Sequence, residues 1–198
     1  MAYHLRWHLG HRKLVEAIRN KRLGALRHMR VHWTFKAPDD GNWRAHEDVG
    51  RWWGLAGVGT HCLDLIRWVM TPDCGEITTV SSTISRDFWK SPHDEIAVVS
   101  MKFESGATAE LCCSVLFESP YRVEIYGADG YAVCRETLGP KGAGTITVKE
   151  EQLEFSVANP YLGEIEDFAA AIKEERPPEV DGTEGVRNVE ILVEAVRH

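Results

Sequence analysis

Between Glu76 and Val157 the chain runs through seven short segments with strand character, at 76–85, 95–103, 108–117, 122–126, 131–136, 144–148 and 152–157, divided by Gly, Pro, Ser or Asp turns. Connections this short join antiparallel neighbours, because a parallel crossover needs a dozen or more residues. Within the second segment Ala97, Val99, Met101 and Phe103 make one face wholly apolar, while Ile96, Val98, Ser100 and Lys102 make the other mixed. A sheet with that alternation covers one face with helices and leaves the other to water or a partner subunit.

The rest of the chain supplies the cover. Leu14, Val15, Ala17 and Ile18 fall at helical spacing and predict an amphipathic helix over 10–20. Residues 1–7 read as a short strand, and without sheet neighbours the first twenty or so residues are expected to be mobile or to pack against another copy. A strand is predicted over 25–35, broken by Pro38-Asp39-Asp40-Gly41-Asn42. Residues 55–70 form the next helix, ended by Pro72. Asn159 caps a helix with Pro160 in its first position and a buried stripe of Tyr161, Ile165, Phe168 and Ile172, stopped by Arg176-Pro177-Pro178. Asp181 and Glu184 resemble a capping box for a last helix whose Val186, Val189, Val193 and Val196 recur at helical spacing. The sum is an α+β fold, an open, mostly antiparallel sheet with helices packed on one face.

At 198 residues the chain can bury the core of one good-sized domain without a metal or disulfide staple. Its net charge of -7 opposes nonspecific attraction to nucleic acid. No run approaches the roughly 18 apolar residues of a membrane span, and the first residues lack a secretory layout, so a cytoplasmic location is expected. Five cysteines without paired-ligand spacing suit reduced thiols in that compartment.

The chemistry concentrates in the 55–70 helix. At about 100° per residue, Val58, Cys62, Leu65, Ile66 and Val69 gather on a core-seeking side, while Gly57, His61, Asp64 and Trp68 align on another. That second side offers a base, an acid three residues on, an indole and a bare backbone patch. The plainer reading is that His61 and Asp64 bond each other or the backbone at a half-buried helix start, with Asp64 paired to Arg67 or Arg51. His4, His8 and His11 would align as zinc ligands on a continuous helix, but Gly10 and the strand-like start argue against one. Gly139-Pro140-Lys141-Gly142-Ala143-Gly144 lacks the Gly-Lys-Ser/Thr end of a phosphate loop and reads as a turn between strands.

Gly59-Thr60-His61-Cys62-Leu63-Asp64-Leu65-Ile66-Arg67-Trp68 resembles the second-domain motif of the glucose-fructose oxidoreductase, inositol dehydrogenase and MocA family of nicotinamide-dependent oxidoreductases. Tyr3-His4-Leu5-Arg6-Trp7, the run Arg22 to Arg27, and Asn159-Pro160-Tyr161 through Phe168 are similar to further landmarks in the same order. The resemblance implies a glyceraldehyde-3-phosphate-dehydrogenase-like C-terminal domain over 23–198, with 1–22 as a remnant strand and helix of the domain junction and the Rossmann domain absent. It implies NAD or NADP as cofactor, with no cofactor-binding or metal residue here, and a sugar, cyclitol or related polyol as substrate. It further implies His61 as acid/base and Asp64, Arg6 and Tyr161 as substrate-binding residues. The alternatives are that Arg6 only ties the domain junction together and that Tyr161 packs in the core. Trp53 is a further substrate-binding candidate by ring stacking, and the exposed sheet face predicts a homodimer or homotetramer. Trp33, Trp43, Trp52 and Trp53 offer ring-stacking surfaces or plain packing. Where the family motif usually has an Asp, four residues before the histidine, this chain has Gly57.

Overall fold

The computed structural model describes residues 1–46 and 52–197. A 3-10 turn, His4–Trp7, leads into α1 (Leu9–Arg19) and β1 (Leu26–Thr34); a π-helical turn, Leu55–Gly59, runs directly into α2 (Thr60–Cys74). Then come β2 (Ile77–Ser85), β3 (Ile96–Phe103), β4 (Thr108–Ser114), β5 (Arg122–Gly127), β6 (Gly130–Arg135), β7 (Thr145–Val148), β8 (Glu151–Gln152), α3 (Pro160–Lys173) and α4 (Gly182–Ala195). The eight strands form one sheet in the order β2-β3-β4-β1-β5-β6-β7-β8.

Every pairing is antiparallel except that of β1 with β4. Strand β1 therefore sits at the centre and joins two meanders, β2-β3-β4 and β5-β8. Its inward residues meet apolar partners on both sides: Met29 lies between Ala109 and Ile125, and Val31 between Leu111 and Val123. The expected alternation of β3 holds, with Ala97, Val99, Met101 and Phe103 buried under the helices. The opposite face is open. No helix among the described residues is long and apolar enough to cross a membrane, and all five cysteines are free thiols.

Six expectations need correction. Residues 1–7 do not form a strand: Arg6 N–H bonds Tyr3 O and His8 N–H bonds Leu5 O, winding a tight turn, after which His8 Nδ1 caps α1 by accepting from Gly10 and His11 N–H. This start is built into the same core as the sheet, through Leu5, Leu14, Val15 and Ile18. Helix α2 runs past Pro72 to Cys74, because a proline in the last turn forfeits only one terminal hydrogen bond. Of 152–157 only Gln152 is in a strand, and Leu153 and Phe155 turn back against the core.

The remaining two concern helix faces. Only Pro160 and Ala171 of α3 are buried, so the stripe of Tyr161, Ile165, Phe168 and Ile172 faces outward. In α4 the buried line is Gly185, Asn188, Ile191, Leu192 and Ala195, which rotates Val186 and Val189 to the surface.

Candidate active site

The start of α2 is set from the sheet. Asp94, just ahead of β3, accepts hydrogen bonds from Trp53 N–H at 2.8 Å and Leu55 N–H at 2.6 Å, capping the π-helical turn with a carboxylate from a distant element. Glycine lets the turn approach closely, since a Cβ on Gly59 would lie 3.1 Å from Cys113 Sγ of β4. His61 is thereby held in the first turn of α2, half-buried.

Around His61 stand rings from two other parts of the chain, the amino-terminal turn and β1. Its centroid is 4.9 Å from His4, 5.9 Å from Tyr3 and 5.9 Å from Trp33. His4 stacks on Tyr161 at 4.6 Å, and Tyr161 remains 40% exposed, so the cluster reaches the surface at the start of α3. Among the described residues, neither ring nitrogen of His4, nor Nδ1 of His61, has a hydrogen-bond partner. Burial lowers the pKa of both imidazoles to about 4, with His4 adding to the effect on His61 and the nearby Gly139 carbonyl weakly opposing it at His4. Both are neutral at physiological pH, so each offers one lone pair and one N–H.

Asp64 is placed differently. It is fully buried, accepting from Arg6 Nε at 2.9 Å and Arg6 Nη2 at 2.6 Å. Arg6 also reaches Glu184, which Arg67 approaches at 3.3 Å, and Arg67 donates to Asn188 Oδ1 at 2.9 Å. Burial pushes the Asp64 carboxyl up and Arg6 pulls it back, while Asp64 and Glu184 raise the Arg6 pKa against the cost of burial. Two guanidiniums and two carboxylates thus tie the 3-10 turn, α2 and α4 together. Asp64 and Arg6 are paired with each other, and an unpaired charge at this depth would be far costlier. Of the surface partners considered for Asp64, Arg67 bonds Glu184 and Asn188, and Arg51 lies outside the described residues.

Trp53 is likewise sealed, packed 5.2 Å from Trp89 in a separate small cluster with Ala37, Ala45 and Val115, so it presents no face for stacking on a ligand. Trp33 stands at the edge of an opening. Besides neighbouring His61, its indole borders a cavity of about 310 Å³ lined by Tyr121, Glu136 and the loop Leu138–Gly144 between β6 and β7. The histidines of the amino-terminal segment diverge to separate tasks: His4 joins the ring cluster, His8 Nε2 bonds Ala143 O at 3.1 Å, and His11 Nε2 bonds Thr137 Oγ1 at 2.9 Å. Sequence spacing missed His4 as a neighbour of His61. The only signal was its place in the Tyr3–Trp7 landmark.

NAD or NADP would need a phosphate cradle, and the glycine-bearing helix start at Gly54–Gly59 is the nearest candidate. Its leading N–H groups are bonded to the Asp94 carboxylate, whose charge repels a phosphate. That helix start does not fit the pyrophosphate.

The family model of the GFO/IDH/MocA C-terminal domain matches residues 11–133. Among curated proteins, 1,5-anhydro-D-fructose reductase of Ensifer adhaerens is 26% identical over 190 residues, covering 93% of this chain and 56% of that protein. Among solved structures, aldose-aldose oxidoreductase from Caulobacter crescentus complexed with glycerol superimposes with a TM-score of 0.84 at 20% identity, over 99% of this chain and 61% of that one. A 3-ketoreductase from Actinomadura kijaniata in complex with NADP and TDP-benzene gives 0.79 at 17% identity, over 94% and 58%. The chain spans little more than half the length of the curated relative it matches. Sheet, helices and motif together lead to one conclusion: the chain belongs to the GFO/IDH/MocA family, of which it forms the C-terminal domain.

Proposed function

We propose that this domain is the substrate-binding and oligomerisation portion of an NAD(P)-dependent oxidoreductase acting on a sugar, cyclitol or related polyol, with His61 as its acid/base. The observation that carries the reading is a neutral, half-buried imidazole in an aromatic cluster that opens to the surface beside Tyr161. Oxidation of a carbinol requires its hydroxyl to lose a proton, and neutral His61 has a lone pair to accept one. Tyr161, on the open side of the cluster, acts as a substrate contact, with His4 packed behind it. Arg6 and Asp64 hold the first turn of α2 in register. The dinucleotide is supplied from outside this domain, so these 198 residues are inactive alone. The open sheet face, with Val98, Tyr126 and Tyr131 exposed, is the oligomer surface.

A second reading, a noncatalytic sugar-binding or assembly domain, is favoured by Gly57, which leaves His61 without the carboxylate that usually precedes it in the motif. The test is His61→Ala, with turnover measured when the dinucleotide-binding portion is supplied in cis or as a separate chain. Loss of roughly a hundredfold or more in kcat with retained folding supports catalysis. Unchanged turnover supports the second reading.

A further inference from the structure

We infer that Asp94 is a positioning residue for His61, which it fixes through the backbone at the entry to α2. The inference rests on the proposed function and adds a residue to that site. His61 itself has little to orient it. Among the described residues its Nδ1 has no hydrogen-bond partner, and Gly57 stands one turn ahead where a carboxylate could have reached the ring. The rings of His4, Tyr3 and Trp33 lie 4.9, 5.9 and 5.9 Å away, and each such contact is worth only about 0.5–1.5 kcal/mol. The orientation of the imidazole is therefore set by the helix that carries it.

That helix is held on both sides of His61. Downstream, Asp64 accepts from Arg6 and Arg67 donates to Asn188. Upstream, Asp94 gathers three consecutive N–H groups: Oδ1 accepts from Trp53 at 2.8 Å, its own main-chain carbonyl from Gly54 at 3.2 Å, and Oδ2 from Leu55 at 2.6 Å. The carbonyl of Leu55 accepts in turn from Thr60 N–H, the bond spanning five residues that makes the turn π-helical. Thr60 is the neighbour of His61. One residue and two hydrogen bonds thus connect the buried carboxylate to the backbone beside the imidazole.

The segment between them needs such a hold. Gly54, Gly57 and Gly59 are half of the run Gly54–Gly59, and each glycine in a helix is about 1 kcal/mol less favourable than alanine. The same glycines seat the turn: a Cβ on Gly54 would fall 2.9 Å from Asp94 Oδ2, and one on Gly59 3.0 Å from Leu55 Cδ2. The anchor, by contrast, is rigid. Asp94 is 1% exposed and directly precedes β3, where Glu95 N–H bonds Ser85 O and Ile96 pairs with both Ser85 and Ser114.

Asp94→Asn tests the inference. The variant keeps one acceptor, the amide oxygen, and turns an NH2 toward the other backbone N–H at almost unchanged volume. The ring protons of His61 are followed by NMR in this chain at a pH above the pKa of Asp94, which burial raises to about 6. Neighbouring rings displace these resonances in the wild type, and the variant is expected to lose most of that displacement. With the dinucleotide-binding portion supplied, kcat should fall between about tenfold and a hundredfold with KM little changed. Glu95→Gln is the control. The Glu95 carboxylate is also buried but accepts from Phe88, Trp89 and Ser91 N–H, away from α2, so its loss should lower stability and leave both readings unchanged. Should Asp94→Asn fail to fold, Asp94→Ser keeps one acceptor without the NH2 and gives the same two readings. Resonances unmoved in the folded variant, or moved equally by Glu95→Gln, overturn the inference, and so does an unmoved kcat where His61→Ala abolishes turnover. If the resonances move while His61→Ala leaves turnover unchanged, the positioning of the ring stands and the catalytic assignment fails.

Discussion

Replacing Asp64 by Asn keeps the volume of the side chain and removes its charge from a site with no solvent access. Arg6, 5% exposed, would keep at most one of its two hydrogen bonds at this position, to the amide oxygen, would face the amide NH2 with its other N–H, and would retain as its only carboxylate Glu184, whose side chain is 31% exposed and already shared with Arg67. Removing one partner of a buried ion pair costs about 3–5 kcal/mol, and the surviving Glu184 contact places this variant near the lower end. For a domain of this size each kcal/mol lowers Tm by about 2–4 °C, so a fall of roughly 6–12 °C is expected. The double variant Arg6→Met/Asp64→Leu should recover most of it, since no charge is then stranded. Urea denaturation of the wild type, Arg6→Met, Asp64→Leu and the double variant closes a thermodynamic cycle, with a coupling energy above about 1.5 kcal/mol expected. A single variant costing under about 1 kcal/mol, or additive singles, would refute the buried-pair account and return Asp64 and Arg6 to the role of ligand contacts.

Three other outcomes follow from the geometry. Burial lowers His4, His11 and His61 to about 4, 3 and 4, from 6.5 when unfolded. The unfolded chain therefore binds more protons in that interval, and stability is complete above about pH 6.5 and falls as pH drops toward 4, by at most about 4 kcal/mol per pH unit if all three titrate; a urea midpoint flat between about pH 7 and pH 5 would contradict this. Gly57→Asp has room, because its Cβ would meet Phe35 at an ordinary 3.6 Å, and the carboxylate one turn before His61 should raise the imidazole pKa toward its usual value, followed by NMR titration. No change in that pKa would mean the two groups do not face each other. Gly142→Ala should cost more than about 1 kcal/mol, from its positive φ and the Ala158 carbonyl, whereas Gly182→Ala in the first turn of α4, with nothing within 4 Å, should stabilise slightly. Equal melting temperatures for the two would discredit the loop geometry.

The sheet was legible because period-two alternation and turn chemistry are local properties, as in Ala97-Val99-Met101-Phe103. What spacing conveys less well is who meets whom. The α3 stripe is apolar enough to suggest burial, yet amphipathicity identifies a face without saying what covers it. In α4 the buried line runs through Gly185 and Asn188, residues that hydropathy does not mark as core, so the valines drew the stripe to the wrong side. Asp64 shares the sequence period of His61, but its true partner arrives from 58 residues earlier, a separation no local pattern encodes. Family resemblance pointed to the segment holding His4 but not to its ring meeting His61. The Trp33 cavity was unreadable for the same reason, being assembled from β1 and a turn over a hundred residues later.

The parallel seam between β1 and β4 has a consequence for how the polypeptide reaches its native state. Strand β1 emerges from the ribosome before either of its neighbours, which are encoded more than seventy residues downstream. Met29, Val31 and Trp33 must wait, unsheltered, while the two meanders zip up through nearby turns. Insertion of β1 then unites the halves in a late, slow step. Substitutions along β1 should retard refolding more than equally destabilising ones at β7, and chaperone demand should peak before β5 is synthesised.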